Sequence, residues 1–172
     1  MNNAMNEQEL LLKTAFACMA CDGEIAPPEV ERIRNYAVNS DRFTSLNVED
    51  CLKKWVEEIN LRGVRFLRDY IMELRNSHVN EQQALDILQV AVDIELADER
   101  VDYFEIRFFK IIRENLPHFD DEQLQRSIKG ITHHFTDKDV KRDYLALFNS
   151  YFKNINLPNF DVTILQRIDA EA

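Results

Sequence analysis

Four acidic residues share one spacing. Asp22 and Glu29 lie seven residues apart, and so do Asp98 and Glu105. Carboxylates are hard oxygen donors of the kind that bind Ca²⁺ or Mg²⁺. Brought close together, ionised carboxylates raise one another's pKa, so a cluster of them calls for a compensating positive charge. If the two segments fold side by side, Asp22, Glu29, Asp98 and Glu105 form a candidate site for a divalent cation. No His or Cys pairs with these positions, which argues against zinc or copper. Neither segment has the alternating ligand spacing of an EF-hand loop.

The same residues also have a local use. Glu105 follows Asp102 by three residues, the spacing of an N-terminal capping box. Acids in the first turn of a helix interact favourably with its dipole. Asp22-Gly23 is an ordinary turn pair after a helix end, and Pro27 suits the first position of the next helix. Capping accounts well for Glu105. It accounts less well for Glu29, because Ala26 stands where the capping residue would be. Cation ligands and helix caps therefore both remain open readings of these positions.

Other reactive side chains carry weaker patterns. Cys18-Met19-Ala20-Cys21 has the Cys-x-x-Cys form, but it falls within an apolar helical segment rather than at a strand-to-helix turn. Only Cys51 is left as a further thiol, too few for a zinc set, so the cysteines are expected to be buried and unbridged. His133 and His134 are adjacent and so do not share a helix face. Arg62, Arg65, Arg68 and Arg75 form the one basic concentration. They are expected to be solvated or to pair with Asp69, Glu73 and the acidic segments. Tyr103, Phe104, Phe108 and Phe109 crowd the second acidic segment, either buried on two sides or partly exposed to a partner.

The period that must position these residues is helical almost throughout. Val48, Cys51, Leu52, Trp55, Val56 and Ile59 follow the i, i+3, i+4, i+7 rule after Asn47. Gly63 interrupts, and Phe66, Leu67, Tyr70, Ile71 and Leu74 resume. Asn80 with Gln83, Asp102 with Glu105, Asp120 with Gln123 and Thr136 with Asp139 mark further helix starts. Leu10 to Cys21 is apolar nearly all round, which predicts a central helix. Phe160 to Ile168 suggests a short outer helix packed through Phe160, Ile164, Leu165 and Ile168. The expected fold is an all-α bundle of about seven or eight helices containing two pseudo-symmetric helix hairpins.

An offset of 76 superposes those hairpins, about residues 9–38 and 85–114. Leu12 falls on Leu88, Ala15 on Ala91, Asp22 on Asp98, Ile25 on Val101, Glu29 on Glu105 and Val30 on Ile106. Each copy reads as an apolar helix, an acidic turn and a second helix with a glutamate in its first turn. Residues 7–31 carry a net charge of −5 and residues 81–105 a net charge of −7. The whole chain is −10, so its acidity belongs to the repeats.

Ala20-Cys21-Asp22-Gly23-Glu24-Ile25 followed by Glu29 resembles the Ala-x-Asp-Gly-x-hydrophobic…Glu signature of the TerB-like (tellurite-resistance) helical domains. Ala97-Asp98-Glu99-Arg100-Val101 followed by Glu105 is similar to the second, degenerate motif of that family. Glu99 stands in place of its second glycine, and Pro27-Pro28 occupies the start of the second helix. The resemblance covers roughly residues 5–117. The expected organisation is a TerB-like domain over 1–117, with 118–172, which match no such pattern, as a helical extension packed on it. The resemblance implies an all-α bundle whose acidic turns approach each other, in a cluster proposed for the family to bind a divalent cation. It also implies a link to tellurite and other chemical stress, and no enzymatic activity.

Composition narrows the classes further. Among 172 residues there are three glycines, Gly23, Gly63 and Gly130, so no Gly-rich phosphate loop or nucleophile elbow is present. A net charge of −10 without a dense basic tract disfavours nucleic acid. No apolar run reaches the length of a membrane span, and Met1 to Gln8 lacks a signal-peptide pattern. The expectation is a cytoplasmic, non-enzymatic interaction or regulatory module with a protein partner. The alternative is a divalent-cation-binding domain.

Overall fold

Five of the described α-helices begin where a side chain satisfies their first backbone N–H groups. The carboxylate or amide oxygens of Asn80, Asp102 and Asp120 accept the N–H groups of Gln83, Glu105 and Gln123. Those three side chains accept the cap N–H groups in return. Asn47 accepts the Asp50 N–H at 3.1 Å, and Asp143 accepts that of Ala146 at 2.9 Å. Each such contact satisfies donors that the helix itself leaves unpaired.

The computed structural model describes residues 3–98, 102–135 and 143–166. Its α-helices are α1 (Asn3–Ala20), α2 (Pro27–Asn39), α3 (Val48–Arg62), α4 (Val64–Asn76), α5 (Glu81–Glu95), α6 (Tyr103–Glu114), α7 (Asp121–Ser127) and α8 (Tyr144–Asn154). Two short 3-10 helices cover Ile131–Phe135 and Val162–Leu165. Among the described residues there is no strand, and the molecule is an all-α bundle, as the period of the sequence required. No described helix is long and apolar enough to cross a membrane. The helix start expected at Thr136 with Asp139 lies outside the described residues, as do Glu99, Arg100, Val101 and Ile168.

α1 is the central helix. Leu12 and every residue from Ala15 to Cys21 are fully buried. Its most extensive packing is against α5, and it also touches α2, α3, α4 and α6. The two helices that open the repeats therefore lie against each other, and α2 and α6 flank them. Phe16 anchors the other side, with its ring 5.9 Å from that of Trp55 and 5.4 Å from that of Phe66.

The chain beyond α7 shares this core. Leu147, Tyr151, Phe152, Ile155, Phe160 and Leu165 belong to the same cluster of buried side chains as α1 and α5. α8 packs on α6, and the Tyr151 hydroxyl donates to the Cys21 carbonyl at 2.5 Å. The segment after α8 then crosses the bundle. Asn60 donates to the Phe160 carbonyl and accepts the Phe160 N–H, both at 2.7 Å. Arg34 donates to the Leu165 carbonyl. The short outer helix expected here is only the 3-10 turn Val162–Leu165, because Asn60 holds the backbone at Phe160 in place of helical hydrogen bonds.

Candidate functional site

The first acidic turn is closed by backbone and side chain together. Gly23 N–H bonds the Ala20 carbonyl at 3.0 Å, and Asp22 Oδ1 accepts the Glu24 N–H at 2.9 Å. Gly23 has φ +86°, and a Cβ placed on it would lie 2.7 Å from the Asn156 carbonyl oxygen. Both the left-handed conformation and the closeness of the crossing segment require glycine here. Ala26 has no side-chain acceptor, so the capping box of α2 is half complete. Glu29 Oε1 accepts the Ala26 N–H at 2.8 Å, and the Glu29 N–H returns to the Ala26 carbonyl.

The second turn ends in a full box. Asp102 Oδ1 accepts the Glu105 N–H at 2.9 Å, and Glu105 Oε1 accepts the Asp102 N–H at 3.1 Å. Asp22, Glu29, Asp102 and Glu105 thus each have one carboxylate oxygen tied to a backbone N–H. The caps do not compete with a site here, because they fix the orientation of the remaining oxygens.

Across the two turns the carboxylates meet. Asp22, Asp102 and Glu105 each offer one oxygen, and these three atoms lie within 4.8 Å of one another. Glu105 is 2% exposed, and its Oε2 is buried without a hydrogen-bond partner. An uncompensated buried oxygen of this kind is costly. Of the four residues expected to converge, Asp22 and Glu105 belong to this group. Glu29 and Asp98 lie close enough to act on it electrostatically. Asp102, read from the sequence as a cap, is the third member. An offset of 76 pairs it with Ala26 rather than with an acid.

The field is strongly unfavourable to ionisation. Burial, reinforced by contact with the Asp102 carboxylate, pushes Asp22 up to about 7. Burial pushes Glu29 up to about 10, with the charges of Glu105, Asp22 and Asp98 adding to it. Burial pushes Glu105 up to about 9, with Asp102, Asp22 and Asp98 adding. The backbone N–H groups of Ala26 and Asp102 oppose these shifts. At neutral pH these shifts favour the protonated carboxyls of Glu29 and Glu105, and a cation bound there would displace protons.

Beneath the cluster lies a second polar layer. Glu95 is fully buried, and its Oε1 lies 2.7 Å from His134 Nε2. Burial raises the Glu95 carboxyl, and the charges of Glu105, Glu29, Asp102 and Asp22 add to the effect. Cys21 Sγ is 3.9 Å from Glu95 Oε2. Both Cys18 and Cys21 are buried, and burial raises their thiols well above the ordinary value. They are inert packing groups, while Cys51 is half-buried. Of the aromatic group, Phe108 and Phe109 are buried, Phe104 is half-buried and Tyr103 is exposed.

All three donors that meet between the turns are oxygens, which suits a hard cation with 6–8 ligands, water completing the shell. Sulfur and imidazole lie in the layer below, where His134 is engaged by Glu95. No family model matches this chain, and no curated protein or solved structure matches it.

Proposed function

We propose that this protein is a non-enzymatic, TerB-like regulatory module that binds a divalent cation, Ca²⁺ or Mg²⁺, between its two acidic turns. The observation that carries the reading is the meeting of Asp22, Asp102 and Glu105 oxygens within 4.8 Å, together with a Glu105 Oε2 that is buried without a hydrogen bond. Glu29 and Asp98 place two further carboxyl groups close by. The cation neutralises carboxyls that burial otherwise keeps protonated, and it cross-links the α1–α2 turn to the start of α6. Its presence would then set how firmly the hairpins hold together. Kinship with the TerB-like domains would place the module in the response to tellurite or other chemical stress, in the cytoplasm, with a protein partner.

Thermal melting at pH 8 with and without CaCl₂ or MgCl₂ tests this. A ligand that binds only the native state stabilises it by about 2.7 kcal/mol at a hundredfold excess over Kd. For a chain of this size that is a rise in Tm of roughly 5–10 °C. Asp22→Asn and Glu105→Gln should each abolish the rise while keeping the fold. A flat response of the wild type to both ions, up to millimolar concentrations, overturns the cation reading.

A further inference from the structure

On α4 the charges are sorted by side. Asp69 pairs with Arg62, and Glu73 pairs with Lys13 of α1 at 2.8 Å. Both acids of the helix are therefore engaged along one flank. Arg65, Arg68 and Arg75 are exposed, and among the described residues they form no ion pair. With Met72, which is 50% exposed, they occupy positions i, i+3, i+7 and i+10. At 3.6 residues per turn these share one narrow strip, about 15 Å long.

A row of rings runs beside this strip. Arg68 lies over the Phe152 ring at 5.1 Å. Along α8, Phe152, Phe148 and Tyr144 follow one another at centroid distances of 4.6 and 5.8 Å. At the far end Arg75 borders a cavity of about 370 Å³ that Asn115 also lines, and Asn115 donates to the Tyr144 hydroxyl. The two helices thus run antiparallel, with Arg68 beside Phe152 and Arg75 toward Tyr144. α6 lies between them, as the ring contacts Tyr70–Phe108 and Phe108–Tyr151 show. The result is a face with guanidinium groups and a thioether on one side and half-buried rings on the other.

We infer that the face formed by Arg65, Arg68, Met72 and Arg75 of α4 with Tyr144 and Phe148 of α8 docks an acidic, amphipathic helix of a partner protein. Charge complementarity selects the occupant. Three unpaired guanidinium groups at helical spacing match carboxylates spaced three or four apart on a facing helix. Met72 and the rings accept its apolar residues, and methionine adapts to varied partners. The strip is about 15 Å long and carries three guanidinium groups, which matches one short helix and falls short of the extended phosphate run of a nucleic acid or the plane of a bilayer. A short helix meets the strip and little else.

The test measures fluorescence anisotropy of a labelled helical peptide of about 14 residues, four turns, with glutamates and leucines on one face. Its twin has lysine in place of glutamate. The intact chain should bind the acidic peptide, less tightly as salt is raised, and should ignore the lysine twin. Arg68→Glu with Arg75→Glu should weaken binding by about tenfold or more, and Arg65→Glu with Arg75→Glu, which leaves the contact with Phe152 alone, should do the same. Far-UV circular dichroism should show both variants folded. Equal binding of the two peptides, or no loss in either folded variant, overturns the inference. So does preference for a single-stranded oligonucleotide or phosphatidylserine vesicles, or self-association of the chain through these arginines in sedimentation.

Discussion

The two acidic turns share a seven-residue spacing of Asp and Glu yet are held in different ways. The second is secured locally, since Asp102 and Glu105 complete each other's capping within three residues. The first lacks its cap at Ala26 and is secured from a distance. Tyr151 bonds the Cys21 carbonyl, and Asn156 packs against Gly23. The acids differ as well. Asp98 is the counterpart of Asp22 by sequence, but Asp102, the counterpart of Ala26, is the one that meets it. The sequence offset of 76 does not dictate which side chains touch. One turn lacks a side-chain cap and leans on the crossing segment, while the other completes its cap locally.

The largest effect expected to separate cluster from scaffold is a pH dependence. Glu105 and Glu29 ordinarily titrate near 4.5 but reach about 9 and about 10 in the folded chain. Below about pH 4.5 both states are protonated. As pH rises, the unfolded chain loses these protons first, so stability is fully present at low pH and is lost through the folded values. Metal-free protein should therefore drop in Tm by about 15 °C between about pH 5 and about pH 9, as read by calorimetry. Glu29→Gln should make that slope shallower, because a neutral amide can still accept the Ala26 N–H. A slope that rises with pH would refute the buried, protonated state of Glu29 and Glu105.

Gly23→Ala probes the distant support of the first turn. A Cβ at φ +86° and 2.7 Å from the Asn156 oxygen should cost about 3 kcal/mol, measurable by urea denaturation. A loss below about 0.5 kcal/mol would mean that the crossing segment yields easily. The smallest change runs the other way. Ala26→Ser supplies the absent acceptor next to Glu29 at the third helical position and should stabilise by about 1 kcal/mol. If it succeeds, the first turn becomes as locally secured as the second.

Much of the scaffold was legible because its signals are local. The caps at Asn47, Asn80, Asp102 and Asp120 and the apolar stripes of α3 to α6 follow from spacing alone. The convergence of Asp22 with Glu105 could be read from the repeat. Asp102 was not recognised as part of the group because its cap already explained it. The Glu95–His134 pair was missed, since its partners are 39 residues apart. One signal for it existed: Glu95 continues Leu88, Ala91 and Val92 on the buried stripe of α5, and a carboxylate there needs a partner. Nothing in the spacing of Asn60 or Tyr151 announces the backbone groups they bind, because those bonds depend on where the chain returns.

The hydrogen bond from Tyr151 to Cys21 spans 130 residues of sequence. During synthesis, the first hairpin leaves the ribosome early, with the local bonds at Gly23 and Asp22 within reach, and then waits for α8 before Tyr151 can clasp it. The second hairpin can set its own turn as soon as it emerges. The half that is made first is thus finished last, and a nascent chain halted anywhere before Tyr151 would carry the opening loop without its clasp.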